Sequence, residues 1–341
     1  MALEYFDGFD DCNSSQIGRY WNYTALNANS ALNATGGRNN SGYLVAGNGN
    51  SCVGKTLSNN FQTVSCGFAF NPRSFNGSAG ICAFNDVSTN QVDIRVNSPS
   101  GTICATRNGT TLGTSTFALQ AGIWYYVEVA VKIDPSVGTV TVNVNGTQVL
   151  ALTGQNTRAS GNSYANMVYF GWATGNNSAN AQSYYDDTYI DNAGTFYGDC
   201  RVETSLPNAN GATDNFTRGG STINANNYQQ VSDNPADDDT TYNYSSTAGD
   251  VDLYGYPAIS TTSGNVQAVM TVPVLRNDSA GTTTAESVYR SGGTNYFGSA
   301  HNVGSTTYNA YPDIQAVDPN TGVAWTVSGV NAAQYGLKRT A

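Results

Sequence analysis

The sequence is short of charge, of histidine and of glutamate. Charged residues make up 11% of its 341 positions, against roughly 25% in an average soluble domain. It has one histidine, His301, and its glutamates are Glu4, Glu128, Glu203 and Glu286. Because exposed helices take much of their surface from Glu and Lys, long exposed helices are excluded. A Ser-His-Asp or Cys-His catalytic device would need His301, whose Gly-, Ser- and Asn-rich surroundings predict a solvated loop.

Long apolar runs and basic surfaces are also missing. No stretch approaches the ~20 apolar residues that span a bilayer, so no membrane insertion is expected. The first seven residues are acidic and lack the basic and apolar regions of a signal peptide. The net charge is −10, and so acidic a chain is repelled by phosphate backbones. No nucleic-acid partner is therefore expected.

Paired cysteine motifs are absent as well. None of the six cysteines forms a C-x-x-C pair, which argues against zinc; they are Cys12, Cys52, Cys66, Cys82, Cys104 and Cys200. Two interpretations stay open, namely buried thiols in a reduced protein or disulfides, for which 15 pairings exist. No cofactor is expected. Calcium remains open, with Asp237, Asp238 and Asp239 as candidate ligands, although acidic loops are usually only solvated.

Tyrosine, glycine and alternating apolar patterns are abundant. There are 22 Tyr and 37 Gly. From Ile123 to Asp134 apolar and polar residues alternate strictly, which is typical of a half-buried strand. Further strands precede and follow Asn145-Gly146, the preferred pair of a type I′ hairpin turn. Many short strands separated by Gly- and Asn-rich turns predict an all-β fold of sandwich or jelly-roll type.

The composition changes near residues 193–199, which predicts two domains, 1–197 and 198–341. Residues 206–249 are almost entirely Asn, Asp, Thr, Gly, Ser and Tyr, and they predict a long ordered loop. The expected architecture is therefore two β-sandwich (jelly-roll-like) domains.

The second domain shows weaker β patterns and one helix. Alternation from Val266 to Leu275 predicts a strand, with Pro273 at an edge or a bulge. A short helix is predicted over Val327 to Gln334, with Thr326 as its N-cap, and a last strand follows it.

Two series of residues resemble known families. The runs 122–128 and 138–146 resemble the core hairpin of concanavalin A-like lectin/glucanase (laminin-G-like) jelly rolls. Tyr5 to Asp10 and Asp186 to Asp191 resemble the first and last strands of that family, which lie near each other in such folds. The resemblance implies a concanavalin A-like β-sandwich over 1–197.

The second series resembles a C-terminal module of tailed-phage tail or minor structural proteins. It consists of residues 198–204, 206–208, 237–242, 252–254, 290–294, 318–326 and 336–338. The resemblance implies a place in the virion, without specifying head, neck or tail.

Hydrolysis of glycans is not expected from the motifs. The Glu-x-Asp-x-x-Glu pattern of the glucanases is absent, and alternation places Asp186 and Asp187 on opposite faces of their strand. Glycan binding without hydrolysis is a separate possibility, because Tyr184, Tyr185 and Tyr189 with Asp187 could form an aromatic and acidic patch. The alternative is that these tyrosines are partly buried strand residues.

The leading hypothesis from the sequence is a non-enzymatic structural protein on the exterior of a tailed phage. It would be a decoration, collar or fibre-type appendage, made in the host cytoplasm and carried on the virion surface. Its partners would be other capsid, neck or tail proteins and further copies of itself. The alternative is a tail-associated adhesin that binds host-surface glycans, and a third hypothesis is a polysaccharide-degrading enzyme.

Overall fold

The computed structural model describes residues 3–47, 51–75, 77–171, 182–278 and 281–341. The chain divides into two compact units, Met1–Val202 and Glu203–Ala341. The first unit extends past the predicted limit at residue 197 because the following residues bond to its strands. The Gly198 N–H donates to Glu128 Oε1 at 2.8 Å, and the Val202 N–H donates to Asp187 Oδ1 at 2.8 Å.

The described strands of the first unit form two sheets. Their bounds are β1 Leu3–Asp7, β2 Tyr23–Ala25, β3 Ala31–Asn33, β4 Tyr43–Ala46, β5 Cys52–Phe61, β6 Thr63–Pro72, β7 Ala79–Asp86, β8 Thr89–Val96, β9 Thr102–Arg107, β10 Thr110–Ala118, β11 Tyr125–Lys132, β12 Gly138–Val144, β13 Thr147–Gln155, β14 Ala165–Gly171 and β15 Ser183–Asp191. The eight-stranded sheet has the order β13-β12-β11-β6-β15-β4-β3, with β1 beside β15, and the seven-stranded sheet has the order β10-β9-β8-β7-β14-β5-β2.

The alternating patterns bury one face of each sheet against the other. Val127, Val129 and Val131 of β11 are at most 1% exposed. Between the sheets, the Phe68 and Phe170 rings lie 5.2 Å apart. Ile123 departs from the predicted pattern because it precedes β11 and is 48% exposed. The all-β prediction is confirmed, and β1 and β15, the predicted first and last strands, pair side by side.

Asp7, the last residue of β1, is buried, and Asp11 in the turn that follows is partly buried. Asp7 accepts hydrogen bonds from the Trp21 Nε1–H and the Phe9 N–H, both at 2.7 Å. Burial nevertheless raises the pKa of Asp7 to about 6. Asp11 has a buried Oδ1 without a hydrogen-bond partner. Burial, together with the charge of Asp7, raises the pKa of Asp11 to about 8.

These raised pKa values predict that the first unit is more stable in mild acid than at pH 8. The folded state holds a proton on Asp11 up to about pH 8, whereas the unfolded chain releases it near 3.8. The free energy of unfolding therefore falls as the pH rises between these values. Asp11→Asn should raise the stability at pH 8 by roughly 1–3 kcal/mol and flatten this dependence. Urea titrations at pH 5 and pH 8 measure both effects. Asp278→Asn, at an exposed residue, is the control, and a loss of stability in Asp11→Asn at pH 8 would contradict the argument.

The second unit is built on one five-stranded sheet with smaller ribbons. Its described elements are β16 Ala209–Asp214, β17 Thr217–Gly219, β18 Tyr242–Tyr244, β19 Val251–Gly255, β20 Val269–Thr271, β21 Val274–Leu275, β22 Thr283–Ser291, β23 Thr294–Val303, β24 Asn309–Ala310, β25 Asp313–Gln315, α1 Val327–Ala332 and β26 Gln334–Arg339. The large sheet has the order β16-β19-β26-β22-β23. Tyr289, Trp325 and Tyr335 form its aromatic core.

Three sequence predictions in this unit are changed by the structure. The predicted loop 206–249 contains β16, β17, β18 and a 3-10 turn, Asn227–Gln230. The predicted strand from Val266 to Leu275 is two short strands, since Pro273 lacks the N–H that would continue the ladder. His301 lies in β23 opposite Ala285, and not in a loop.

The predicted helix is present at the predicted N-cap. Thr326 Oγ1 accepts a hydrogen bond from the Gly329 N–H at 2.9 Å. The helix ends at Ala332, two residues before the predicted end, because Gln334 already belongs to β26. Within the residues that the structure describes, there is no helix long and apolar enough to cross a membrane.

Candidate functional site

Most of the glycan patch predicted on β15 is buried. Tyr185 is completely buried between the sheets, where its hydroxyl donates to the Ile81 carbonyl at 3.0 Å. Tyr189 is 4% exposed on the opposite face, and its hydroxyl donates to Glu128 Oε1 at 2.6 Å. Neither ring is accessible to a glycan, so the predicted patch does not form a common surface.

A β-bulge places Tyr185 and Tyr189 on opposite faces of the sheet. Tyr185 is opposite Phe70 of β6, but the register shifts after Asp186, so that Tyr189 lies opposite Gly67. The extra residue moves Tyr189 to the outer face and brings Ile190 into the core. Asp187 takes a φ of 49° at this bulge.

The bulge also overturns the expectation that Asp186 and Asp187 point apart. Both carboxylates contact Arg38: Asp186 Oδ2 accepts its backbone N–H at 2.9 Å, and Asp187 Oδ2 accepts its guanidinium at 3.4 Å. Burial and the charge of Asp187 raise the pKa of Asp186 to about 8, and burial raises that of Asp187 to about 6. Their hydrogen bonds fix the bulge and the residues packed on it.

Residues 193–202, which we call the strap, cover the outer face of the eight-stranded sheet. Asp191 accepts the N–H groups of Ala193 and Thr195 at 2.8 and 2.9 Å. Beneath the strap, Glu128 is 2% exposed and bonded to Tyr189 and Gly198. The polar groups on this face of the sheet are therefore bonded to the strap and hold it in place.

Tyr184 is the member of the predicted patch that reaches the surface. Its ring lies 4.7 Å from that of Tyr43, and the Arg73 guanidinium lies 5.0 Å from the Tyr184 ring. Sequence reasoning missed Tyr43 on β4 and Arg73 just after β6, because both lie far from Tyr184 in the sequence. Tyr43 and Tyr184 thus form a small, partly exposed aromatic surface on the neighbouring strands β4 and β15.

A larger candidate site crosses the seven-stranded sheet. Strand pairing aligns one outward residue from each of its strands into a continuous line, which we call the cross-strand row. From β2 to β10 the row is Tyr23, Gly54, Tyr169, Ala83, Asp93, Thr106 and Thr111. Their neighbours along the strands, such as Val53, Val168 and Ile94, face the core between the sheets. Tyr23 and Thr111 at the two ends of the row are exposed, whereas the residues between them are buried. Seven strands at about 4.8 Å spacing make the row roughly 29 Å long.

One end of the cross-strand row carries two tyrosines, and its middle carries small side chains. Tyr23 is 44% exposed, and its ring lies 5.4 Å from that of Tyr169 in an edge-to-face arrangement. Gly54 allows the Tyr169 ring to lie over β5, because a Cβ there would approach Tyr169 Cε1 to 2.6 Å. Burial raises the pKa of Tyr169 to about 12, which keeps its phenol protonated at neutral pH. Ala83 follows Tyr169 in the row, so no large side chain interrupts it there.

The other end of the row is polar and held rigidly. Asp93 is 2% exposed, accepts the Thr106 hydroxyl at 2.5 Å and forms an ion pair with Arg95. The Arg95 side chain retains 22% exposure. An anchored cation beside hydroxyl groups can hydrogen-bond polar ligands. Charged residues are rare in this chain. The presence of Asp93 and Arg95 at alternate positions of one strand is therefore the sequence feature that could have indicated the polar end of the row.

The candidate calcium ligands do not converge. Asp237 Oδ1 accepts the Thr241 N–H and hydroxyl, at 3.1 and 2.9 Å. Asp239 Oδ1 accepts the Arg276 guanidinium at 2.8 Å, and this contact lowers its pKa. Over the described ranges, no group of three or more His, Cys, Asp or Glu side chains is arranged to hold a metal. The six cysteines are free thiols.

Comparison with known proteins gives fold-level likenesses only. No family model matches the chain, and no curated protein matches it. Alginate lyase Aly36B is similar at 12% identity over 53% of this chain and 87% of that one, with a TM-score of 0.33. Crh5 transglycosylase in complex with NAG is similar at 12% identity over 55% and 83%, with a TM-score of 0.36. A Trypanosoma rangeli sialidase gives 8% identity, 49% and 28% coverage, and a TM-score of 0.35.

These comparisons correct one prediction. The expectation that the chain is not an enzyme is contradicted, because a lyase, a transglycosylase and a sialidase are among the structures of similar fold. At such low identity and TM-score, the likenesses assign no reaction to this chain.

Proposed function

We propose that the first unit binds an extended glycan along the cross-strand row. The observation that carries the proposal is the alignment of the exposed Tyr23, a floor of small residues and a rigid polar end in one line. Sugar rings pack their apolar faces on aromatic side chains, while their hydroxyls bond to charged and polar groups. A row of roughly 29 Å accommodates several linked sugars.

Each part of the row has a separate task in this proposal. Tyr23 forms the stacking surface, supported by the edge of the buried Tyr169 ring, and the small side chain of Ala83 keeps the middle of the row free of bulky groups. Arg95 donates to ring or hydroxyl oxygens, and Asp93 orients it. Because Asp93 is buried and bonded, Arg95 loses little conformational entropy when it meets a ligand.

A glycan array probed with the full chain tests this proposal. Tyr23→Ala should weaken binding to any hit about 3- to 10-fold, corresponding to a loss of roughly 0.5–1.5 kcal/mol. Tyr244→Ala, which removes a 50%-exposed tyrosine from the second unit, is the matched control and should leave affinity unchanged. If Tyr184→Ala weakens binding and Tyr23→Ala does not, the ligand lies on the eight-stranded sheet instead. The same incubations should be analysed for new reducing ends, which would reveal cleavage.

We further propose that the protein works as a host-attachment adhesin on the exterior of a tailed-phage particle. The support is the series of residues over 198–341 that resembles phage structural modules, together with the glycan-binding row of the first unit. Its partners would be capsid, neck or tail proteins and other copies of the chain. Immunogold labelling of intact particles tests the location: decoration of one virion structure is expected, and unlabelled particles would refute it.

A further inference from the structure

Two cysteines meet in the core of the first unit. Cys66 lies on β6 and Cys82 on β7, in opposite sheets, and they are 0% and 1% exposed. Cys66 neighbours Val129 and Ile190 on its sheet, and Cys82 is opposite Phe170 on the other. Cys66 lies close enough to the Cys82 thiol to raise its pKa further. Both cysteines lie beside the Phe68–Phe170 pair, whose rings connect the two sheets at 5.2 Å.

The other four cysteines occupy different places, and Cys12 lies near Asp7 and Asp11. Cys52 packs with Tyr169 and Ala83 on the outer side of the seven-stranded sheet. The Cys104 Sγ–H contacts the Thr111 hydroxyl at 3.9 Å, near the end of the cross-strand row. The Cys200 Sγ–H donates to the Tyr197 carbonyl at 3.8 Å within the strap. Of the 15 pairings that six cysteines allow, the fold thus brings Cys66 and Cys82 together.

We propose that Cys66 and Cys82 are a redox pair that forms a disulfide between the two sheets when the chain folds in an oxidising environment. A small disulfide such as oxidised glutathione supplies the oxidant. The Cys66 thiolate attacks one of its sulfurs and releases one reduced glutathione, and Cys82 then displaces the second. One S–S bond is formed, one is broken, and two electrons pass to glutathione.

The order of events follows from burial. Burial, and then the neighbouring Cys66, raise the pKa of the Cys82 thiol well above its ordinary value, so the folded protein holds no reactive thiolate there. Oxidation therefore occurs while the sheets assemble, and the finished core protects both thiols and the bond. A crosslink between residues 66 and 82 restricts the unfolded chain, and this stabilises the folded unit.

Refolding the full chain from denaturant in a reduced/oxidised glutathione buffer tests the pair. Free thiols are alkylated after denaturation, and peptides are mapped without reduction. We expect a Cys66–Cys82 peptide, four alkylated cysteines and a thermal midpoint about 5–10 °C above that of the reduced protein. Folded, reduced protein left in the same buffer should keep six alkylatable cysteines.

Two double variants complete the test. Cys52→Ala with Cys104→Ala should retain the crosslink, whereas Cys66→Ala with Cys82→Ala should yield no disulfide after refolding. Six alkylated cysteines in the refolded wild-type chain, or a bond between any other pair, would overturn the proposal. Because the wild-type map alone decides this, a variant that fails to fold leaves the test intact.

Discussion

Gly67→Ala should destabilise the first unit by about 3–5 kcal/mol, which lowers its thermal midpoint by about 10 °C. Tyr189 lies directly over Gly67, and a Cβ there would stand 2.1 Å from Tyr189 Cε1. The ring has to move, which breaks the hydrogen bond from its hydroxyl to Glu128 at 2.6 Å. Glu128 would then keep a buried carboxylate with one fewer donor, and the strap above it would lose its support.

Gly161→Ala is the matched control for this substitution. No atom lies within 4 Å of the position of its Cβ, so its stability should stay within about 0.5 kcal/mol of the wild type. Thermal and urea unfolding of both variants, with hydrogen exchange of residues 193–202, give the comparison. Equal stability of the two variants would show that the Tyr189–Glu128 contact does not hold the strap.

Asp252→Ala should cost the second unit about 3 kcal/mol or more. Asp252 is completely buried. It accepts the Tyr254 hydroxyl at 2.7 Å and the Asn227 amide at 3.0 and 3.1 Å. The Asn243 amide at 3.2 Å and the Phe216 N–H at 3.3 Å complete the set. Removing the carboxylate leaves these donors buried with fewer acceptors and releases the segment that they anchor.

Hydrogen exchange localises this effect. In Asp252→Ala, amide protection over residues 209–230 should fall by roughly 100-fold, which corresponds to about 3 kcal/mol. Asp278→Ala, at an exposed position, should change neither hydrogen exchange nor stability. Asp252→Asn should lose less amide protection than Asp252→Ala, because the amide keeps one acceptor. Unchanged protection in Asp252→Ala would mean that 206–249 is held by something other than this carboxylate.

The period-two patterns predicted the fold because burial of one sheet face depends only on local alternation. Val127, Val129 and Val131 follow the pattern from Ile123 to Asp134, and Asn145 and Gly146 have the positive φ values, 49° and 75°, of the predicted turn. Residues 206–249 were read as a loop because their strands carry polar side chains. They are ordered by bonds to Asp252, which lies later in the chain.

The candidate site could not be predicted in the same way. A one-residue bulge at Asp186 and Asp187 reverses the faces of all residues after it, and alternation alone does not show it. The cross-strand row combines residues as distant in sequence as Tyr23 and Tyr169, and only strand order places them side by side. Tyr184 is the partly exposed tyrosine of the predicted patch, and its partners Tyr43 and Arg73 lie far from it in the sequence.

The location of the carboxylates shows how the two faces of the sandwich differ. On the eight-stranded sheet, Glu128, Asp187 and Asp191 bond to the strap and to Arg38. On the seven-stranded sheet, Asp93 holds Arg95, which retains partial exposure. Polar groups thus hold the strap on one side, and on the other side they hold a partly exposed arginine.

The most direct test of glycan binding along the cross-strand row is a crystal structure of the full chain with the best oligosaccharide from the array. We predict that the sugars lie across the strands from Tyr23 to Thr106, stacked on Tyr23 and within hydrogen-bond distance of Arg95. An oligosaccharide seated anywhere else, or a chain that binds none on the array, would contradict the account.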